Sequence, residues 1–313
     1  DLIEEAARIY GYERVPTRAP RGELLAPSLP EARSGNDQLR AQMVARDYVE
    51  AICYPFLGAD VLARWKLDAD AVALANPLSA EFAVMRTSLL PGLVAALAAN
   101  RRRQQGRVRL FEVGNVFHAG AAETLRIAGV ACGPAFSEQW GESRRALDFF
   151  DVKGDVESVW ALTNAAREFH AVAATLAWLH PGQSAELRRG DRRVGYVGAL
   201  HPDLHTALGI EEDVFVFEFD VDAIVARALP KAEPVSRFPS LRRDLSFELP
   251  DDVPYARVEA AIRDAVGATL AEIVRFDRYM GETLGTNIKS LAIGLILQER
   301  YRTLTDQDAD LCV

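Results

Sequence analysis

Apolar residues recur at helical spacing along Leu2, Ile3, Ala6, Ala7, Ile9 and Tyr10, and Gly11 follows as a natural stop, so the chain opens with a short helix. Pro16, Pro20, Pro27 and Pro30 break up the next stretch, which predicts a linker over 17–30. Leu39, Met43 and Val44 mark an amphipathic helix before Tyr48, and Ala51 to Leu57 has the composition of a strand. The clearest helix spans Ser88 to Gln105. Ser88 stands where a cap is needed, Pro91 falls in the first turn, and Leu90, Leu93, Val94, Leu97 and Ala98 share one face. Arg101, Arg102 and Arg103 end it, where cations suit the carbonyl end of the helix dipole. From Arg107 to Phe117, β-formers on both parities predict a strand covered on both faces. Further strands are expected over Arg126–Ala131, Phe169–Trp178, Ala185–Leu187, Val194–Leu200 and Val214–Val221, with Arg189-Gly190-Asp191 turning a hairpin. The sum is an α+β pattern, a largely antiparallel sheet with flanking helices.

Pro230, Pro234 and Pro239 mark a second boundary. After it come a strand (Asp244–Leu249), a helix (Tyr255–Val266), strands over Leu270–Met280 and Lys289–Leu297, and a helix announced by the capping signal Thr303-Leu304-Thr305-Asp306. This β-α-β-β-α order is ferredoxin-like without its last strand, so the final domain is expected to be truncated. The opening helix likewise reads as the tail of a domain lying upstream. The expected divisions are 1–18, 19–232 and 233–313.

Composition narrows the function classes. Half of the 313 residues are apolar and 26% are charged, enough for a sizeable core in two or three domains. No run approaches the roughly 18 apolar residues of a bilayer span, and the first residues are acidic, so a cytoplasmic protein is expected, with no membrane partner. Cys53, Cys132 and Cys312 are far apart and lack a second Cys or a His at ligand spacing, which predicts packed, reduced thiols. A net charge of −9 argues against coating nucleic acid by bulk attraction, so any RNA contact must come from local basic clusters. Arg101-Arg102-Arg103 and Arg237 with Arg242-Arg243 are the two that stand out.

Catalytic motifs are missing: there is no Gly-x-Ser-x-Gly elbow, His-Glu-x-x-His, Walker loop or Cys-x-x-Cys. His201 and His205 stand at i, i+4, but no third ligand has suitable spacing, and Pro202 suits the first turn of a helix. Asp1, Glu4 and Glu5 fall on one helix face. They are either favourable first-turn acids or a hard oxygen cluster suited to Mg²⁺.

Several segments, in order along the whole chain, carry a resemblance. They are Asp1-Leu2-Ile3-Glu4-Glu5-Ala6-Ala7-Arg8-Ile9-Tyr10-Gly11-Tyr12; Asn76-Pro77-Leu78-Ser79; Met85-Arg86-Thr87-Ser88-Leu89-Leu90-Pro91-Gly92-Leu93; Leu110-Phe111-Glu112-Val113-Gly114-Asn115-Val116-Phe117; Arg237-Phe238-Pro239-Ser240-Leu241-Arg242-Arg243-Asp244-Leu245-Ser246; Phe276-Asp277; and Lys289-Ser290-Leu291-Ala292. Together they resemble the C-terminal portion of the bacterial phenylalanyl-tRNA synthetase beta subunit.

The resemblance implies the end of a small helical domain, a class II synthetase-like domain that has lost its active site, and a ferredoxin-fold anticodon-binding domain. It implies a partner, the catalytic alpha subunit, in an assembly of two alpha and two beta subunits that uses ATP at alpha to charge tRNA(Phe). Asp1, Glu4 and Glu5 match magnesium ligands of the family, which has one further Asp upstream. Met85, Arg86, Leu89 and Leu93 are the candidates for the subunit interface, the apolar face of the Ser88–Gln105 helix included. Arg86 also admits a nucleotide contact or a carboxylate pair. Arg237, Arg242, Arg243 and Lys289 are the candidates for tRNA binding, with Phe238 or Tyr279 as exposed aromatics on which a base could stack. A class II active site holds ATP phosphates with arginines. Here His118 follows the strand that ends at Phe117, and no Gly-rich Glu-Arg motif occurs, so the sheet is expected to lack that clamp and the chain alone to be inactive. The competing reading is a stand-alone RNA-binding or regulatory protein built from the same domains. A hydrolase or metalloenzyme is disfavoured by the missing motifs.

Overall fold

The computed structural model describes residues 1–19, 22, 31–232, 234–281 and 284–312. Of the expected linker, 20, 21 and 23–30 lie outside the described residues. The chain divides into two units, Asp1–Pro230 and Lys231–Val313.

The first unit opens with helix α1 (Leu2–Tyr10), stopped at Gly11, whose φ of 99° is open to glycine. None of its side chains is buried. Helix α2 (Asn36–Ala45) buries Leu39 and Met43 but leaves Val44 exposed. The strand expected over Ala51–Leu57 is instead two short pieces, β1 (Val49–Glu50) and β2 (Phe56–Leu57). They join different sheets, so the chain between them cannot hold one ladder. Helix α3 (Ala59–Trp65), which periodicity did not reveal, buries Leu62 and Trp65. After β3 (Val84–Met85), helix α4 runs from Leu90 to Arg102, shorter than expected at both ends. Ser88 accepts a hydrogen bond from the Leu90 N–H (3.1 Å), but the capping position itself is Leu89.

Then follow β4 (Val108–Val116), β5 (Thr124–Cys132), helix α5 (Phe149–Trp160), β6 (Phe169–Ala173), β7 (Leu179–Arg189), β8 (Arg192–Leu200), helix α6 (Pro202–Leu208), β9 (Val214–Asp220) and helix α7 (Val221–Val225). The strand expected over Phe169–Trp178 ends at Ala173. Arg189 pairs with Arg192 across the expected hairpin turn, and Gly190 there has φ of 56°. Among the described residues the main sheet has the order β1-β4-β5-β9-β8-β7-β6. Its edge strand β1 is parallel to β4, and every other pair is antiparallel.

Period-two alternation sends the strand side chains to two cores. Phe111, Ile127, Phe217 and Phe219 pack with Leu39 and Met43 of α2 and Val152 and Val156 of α5. On the other face, Val108, Val130 and Val216 meet Leu90, Leu93, Val94 and Leu97 of α4.

In the second unit, β10 (Leu241–Pro250), α8 (Tyr255–Val266), β11 (Leu270–Tyr279), β12 (Ile288–Leu297) and α9 (Asp306–Asp310) follow the expected order. The sheet order is β10-β12-β11, all antiparallel, with a bulge near Arg275–Asp277. Ile293, Leu295 and Leu297 pack on one face with Phe247, Ile262 and Leu304. A Thr305–Asp308 capping box starts α9. No helix of the described residues is long and apolar enough to cross a membrane.

Candidate functional site

Helix α4 covers only part of its sheet face. Beyond it, Glu112 of β4, Arg126 of β5, Glu218 and Asp220 of β9, Tyr196 of β8 and Glu186 of β7 lie at or near an open cleft of about 240 Å³. Glu218 is fully buried and is satisfied by its neighbours: the Ser88 hydroxyl donates to Oε2 (2.8 Å), the Leu89 N–H to Oε1 (2.9 Å), and the Tyr196 hydroxyl also to Oε2. Burial, then the adjacent carboxylate, pushes the Tyr196 phenol well above its usual range, so it remains a donor.

The expected missing clamp concerned an arginine that follows the strand; this face of the sheet carries a different guanidinium, which that reading did not weigh. Arg126 stands on it, 3.6 Å from Glu218 and 3.2 Å from Asp220. The alternation of β5, which puts Arg126 in phase with buried Ala128 and Val130, was the signal that reading for post-strand arginines overlooked. Among the described residues the floor of the cleft offers no free cation, because carboxylates of the same sheet flank the arginine. His118 faces Asp70, with Nδ1 at 2.8 Å from its carboxylate.

The residues expected at a subunit interface lie inside the unit. Arg86 is 6% exposed and pairs with Glu112 at 2.7 Å, while its Nε donates to the Asn115 carbonyl (3.0 Å). Gly114 is required beside it, since a Cβ there would overlap the guanidinium. Leu89 and Leu93 are completely buried in the α4 core and Met85 is half-buried. The amphipathic face of α4 is thus spent on its own sheet, and Arg86, Leu89 and Leu93 offer no docking surface, while Met85 keeps part of its side chain exposed.

Exposed apolar side chains are spread along the chain, and four of them, Val44, Val49, Ile52 and Tyr54, fall in or next to the edge strand in sequence, with Ile52 at 94% exposure. Behind that edge, Asp155 of α5 accepts hydrogen bonds from Arg46 (2.7 Å), Tyr48 (3.0 Å) and Arg109 (2.8 Å), and the Arg109 guanidinium lies over the Tyr48 ring. One buried carboxylate therefore fixes the turn between α2 and β1.

Asp1, Glu4 and Glu5 do not converge. The Glu5 carboxylate is taken by Arg8 at 2.7 Å, the side chain of Asp1 caps nothing, and the described residues include no group of three or more His, Cys, Asp or Glu able to hold a metal. Nor do His201 and His205 form such a group. His201 accepts the Asp203 N–H (3.2 Å) at the start of α6.

In the second unit the four candidate cations divide. Arg242 runs across Gly294, where a Cβ would lie 2.9 Å from its Nε, pairs with Asp244 (2.7 Å) and stacks over the Phe276 ring at 5.3 Å. Arg237 is exposed and has no side-chain partner among the described residues. Arg243 holds α9 against β10 through Asp306 (2.6 Å) and Asp310 (2.9 Å). Lys289 is 6% exposed and donates to the Asp251 and Val253 carbonyls at 2.7 and 2.6 Å. It ties down a turn and is withdrawn from any ligand, because an ammonium so buried needs all its donors satisfied. Phe276 and Tyr279 are half exposed, while Phe238 is partly buried.

Comparison with known proteins accounts for both units. Residues 15–221 match the family model of the phenylalanyl-tRNA synthetase beta chain CLM domain, and residues 236–313 match the ferredoxin-fold anticodon binding domain. The phenylalanine–tRNA ligase beta subunit of Xanthomonas euvesicatoria pv. vesicatoria is 49% identical over 319 residues, and that of Xylella fastidiosa strain Temecula1 is 48% identical over 316. These alignments cover 100% and 99% of this chain and 40% of each relative. The chain thus spans well under half the length of these curated relatives. A solved structure of a pyrrolysyl-tRNA synthetase from Desulfitobacterium hafniense aligns with a TM-score of 0.47 at 14% identity, covering 60% of this chain and 64% of that one. With a family model matching most of its length, the chain belongs to the phenylalanyl-tRNA synthetase beta chain family.

Proposed function

We propose that this chain serves as a non-catalytic part of the beta subunit of phenylalanine–tRNA ligase in the cytoplasm, docking a separate catalytic alpha subunit and gripping tRNA(Phe) while alpha performs the ATP-dependent charging. The observation that carries this reading is the pair of family matches, one over each unit and in the order the reading requires. A class II ancestry for the first unit, and an assembly of two alpha and two beta subunits, belong to the same proposal. An antiparallel sheet with one parallel edge strand accords with that ancestry.

The chemistry of the cleft supports silence. Polyphosphate transfer needs cations free to meet developing negative charge, and Arg126 is already flanked by Glu218 and Asp220. Docking falls to the β1 edge, where Val49, Ile52 and Tyr54 present apolar surface beside backbone that pairs with no further strand among the described residues. In the second unit, Arg242, Arg237 and Phe276 offer a phosphate contact and a stacking surface to an unpaired anticodon loop. Magnesium at Asp1, Glu4 and Glu5 forms no part of the proposal, since Arg8 occupies one of the three carboxylates.

Affinity co-purification with an alpha subunit tests the assembly. The chain should retain alpha, and Ile52→Glu with Tyr54→Arg should release it without unfolding the chain. Amino-acid-dependent ATP turnover by the chain alone should be undetectable, and measuring it would remove the silent-copy reading. Tight RNA binding without alpha, indifferent to added alpha, would instead favour a stand-alone RNA-binding protein.

A further inference from the structure

Three of the chain's five histidines meet in one corner of the first unit, and the function proposed above uses none of them. His180 lies on β7, His201 stands just before α6, and His205 follows one helical turn later. The first two have the same task. Nδ1 of His201 accepts the Asp203 N–H at 3.2 Å and so caps α6, while Nδ1 of His180 accepts the Gly182 N–H at 3.1 Å in the irregular stretch of β7 before Ser184. Only an unprotonated ring nitrogen can accept, so both contacts exist in the neutral state alone. Asp203 lies 3.5 Å from the same nitrogen of His201 and would attract the charged ring, but it is exposed, and water screens that attraction.

His205 is buried at its Nε2, which has no hydrogen-bond partner among the described residues. The charged and titratable groups that face it are Asp213, from the segment between α6 and β9, and the other two histidines. Burial foremost, aided by those histidines and opposed by Asp213, holds its imidazole below the ordinary value of 6.5. A histidine depressed in the folded state leaves stability untouched above its unfolded value and withdraws stability as pH falls below it. Helix α6 is also weakly held. It has seven residues, of which Leu204 alone is buried, and Leu208 and Ile210 complete its grip on the α4 core. Its link to the cleft is direct: the His201 N–H donates to the Trp178 carbonyl at 2.9 Å, and Trp178 with Leu176 lines the cleft, the indole edge-on to Tyr196. A short helix whose cap, neighbouring turn and one buried ring all require neutral imidazoles is suited to opening locally.

We propose that this corner is an acid-operated latch: protonation of His180, His201 and His205 releases α6 from the sheet and frees the Trp178 wall of the cleft, while the rest of the first unit stays folded. The inference rests on the corner alone and does not depend on whether the chain docks an alpha subunit.

Hydrogen–deuterium exchange of the chain at about pH 7.5 and about pH 5.5, read by mass spectrometry and normalised for the intrinsic pH dependence of amide exchange, tests it. Protection over 176–184 and 201–210 should fall by about fivefold or more at the lower pH, the worth of one lost helix cap, while β4 and β5 keep theirs. His201→Asn combined with His205→Phe removes two of the titrating rings, yet asparagine still caps the helix and phenylalanine still fills the space. That variant should lose most of the fall. If it does not fold, His201→Asn alone, at the partly exposed helix start, should reduce the fall. Protection unchanged at the lower pH, an equal fall in β4 and β5, or a fall undiminished in the variants overturns the proposal.

Discussion

Arg126 and Arg242 are both strand arginines that point onto one face of a sheet, one in each unit, and they have opposite fates. Arg126 sits among Glu218, Asp220 and Tyr196, three-quarters shielded from water, and its charge is spent within the fold. Arg242 crosses a floor kept low by Gly294, half exposed, with Asp244 at its side and Phe276 beneath it. Both are arginines on antiparallel strands. Surroundings decide that the first arginine stabilises the protein while the second remains available to an external anion. A buried guanidinium must be matched by carboxylates to exist at all, and that matching cancels the field a phosphate would feel.

The sharpest way to break this contrast is to remove the matching carboxylate. Glu218→Ala leaves Arg126 with Asp220 alone (3.2 Å) and strands the Ser88 hydroxyl, the Tyr196 hydroxyl and the Leu89 N–H. Losing one partner of a buried ion pair costs about 3–5 kcal/mol. A denaturant titration should therefore show the midpoint of the first unit falling steeply. A loss of less than about 1 kcal/mol, the scale of a surface pair, would mean that Arg126 is solvated after all and that the two arginines are not different in kind.

Much of this contrast was legible in the sequence for the second unit and little of it for the first. The expected helix of the second unit coincides with α8, Tyr255–Val266, and each expected strand lies within about three residues of β10, β11 or β12. Strict alternation along β10 makes the sheet face plain. In the first unit, α5 was missed although Asp148 and Asp151 form a complete capping box, because Lys153 and Gly154 interrupt the apolar face and glycine weakens the helix signal. The interface residues were misplaced for a related reason. An amphipathic helix reveals that one face is covered but not by what, and α4 is covered by its own sheet. Lys289 looked like any surface cation, since nothing local in the sequence says that two carbonyls from the turn at Asp251–Val253 will enclose it.

A second test exploits the open side. Phe276→Ala removes the platform under Arg242 while taking nothing from the core. Loss of one stacked base costs about 1–3 kcal/mol of binding, so filter binding of tRNA to the chain with the proposed alpha partner added should weaken accordingly, with the thermal midpoint nearly unmoved. Unchanged binding would move the RNA-facing surface away from this sheet. Lys289 and Arg237 then sharpen the division within a single unit. Lys289→Ala leaves two carbonyls without their donor and should cost about 1–3 kcal/mol of stability, without altering the salt dependence of binding. Arg237→Ala should leave stability within about 0.5 kcal/mol and lower the slope of log affinity against log salt by about 1. If the two variants exchanged these outcomes, burial would have misled in both directions.

The smallest effect concerns acid, at an ion pair on the surface of the second unit. Asp308 accepts from Arg302 (2.6 Å) and from the Thr305 N–H (2.9 Å) and hydroxyl (2.8 Å), and these contacts, the guanidinium foremost, hold its carboxyl well below the ordinary value of 3.8. A carboxyl whose folded value lies below its unfolded one contributes stability that is complete above about 4 and is lost as pH falls through the folded value. The start of α9 should thus hold unchanged from neutral pH down to the ordinary carboxylate range and loosen only in stronger acid. Because the pair lies at the surface, with the Arg302 side chain 57% exposed, added salt should weaken the effect, unlike anything at Glu218. Carbon-detected NMR titration of the Asp308 carboxyl reads this directly. A midpoint at the ordinary value, insensitive to Arg302→Ala, would show that an exposed ion pair drawn at close range can still be worth nothing, and would extend the lesson of the two arginines: proximity of charges matters only where water is kept away.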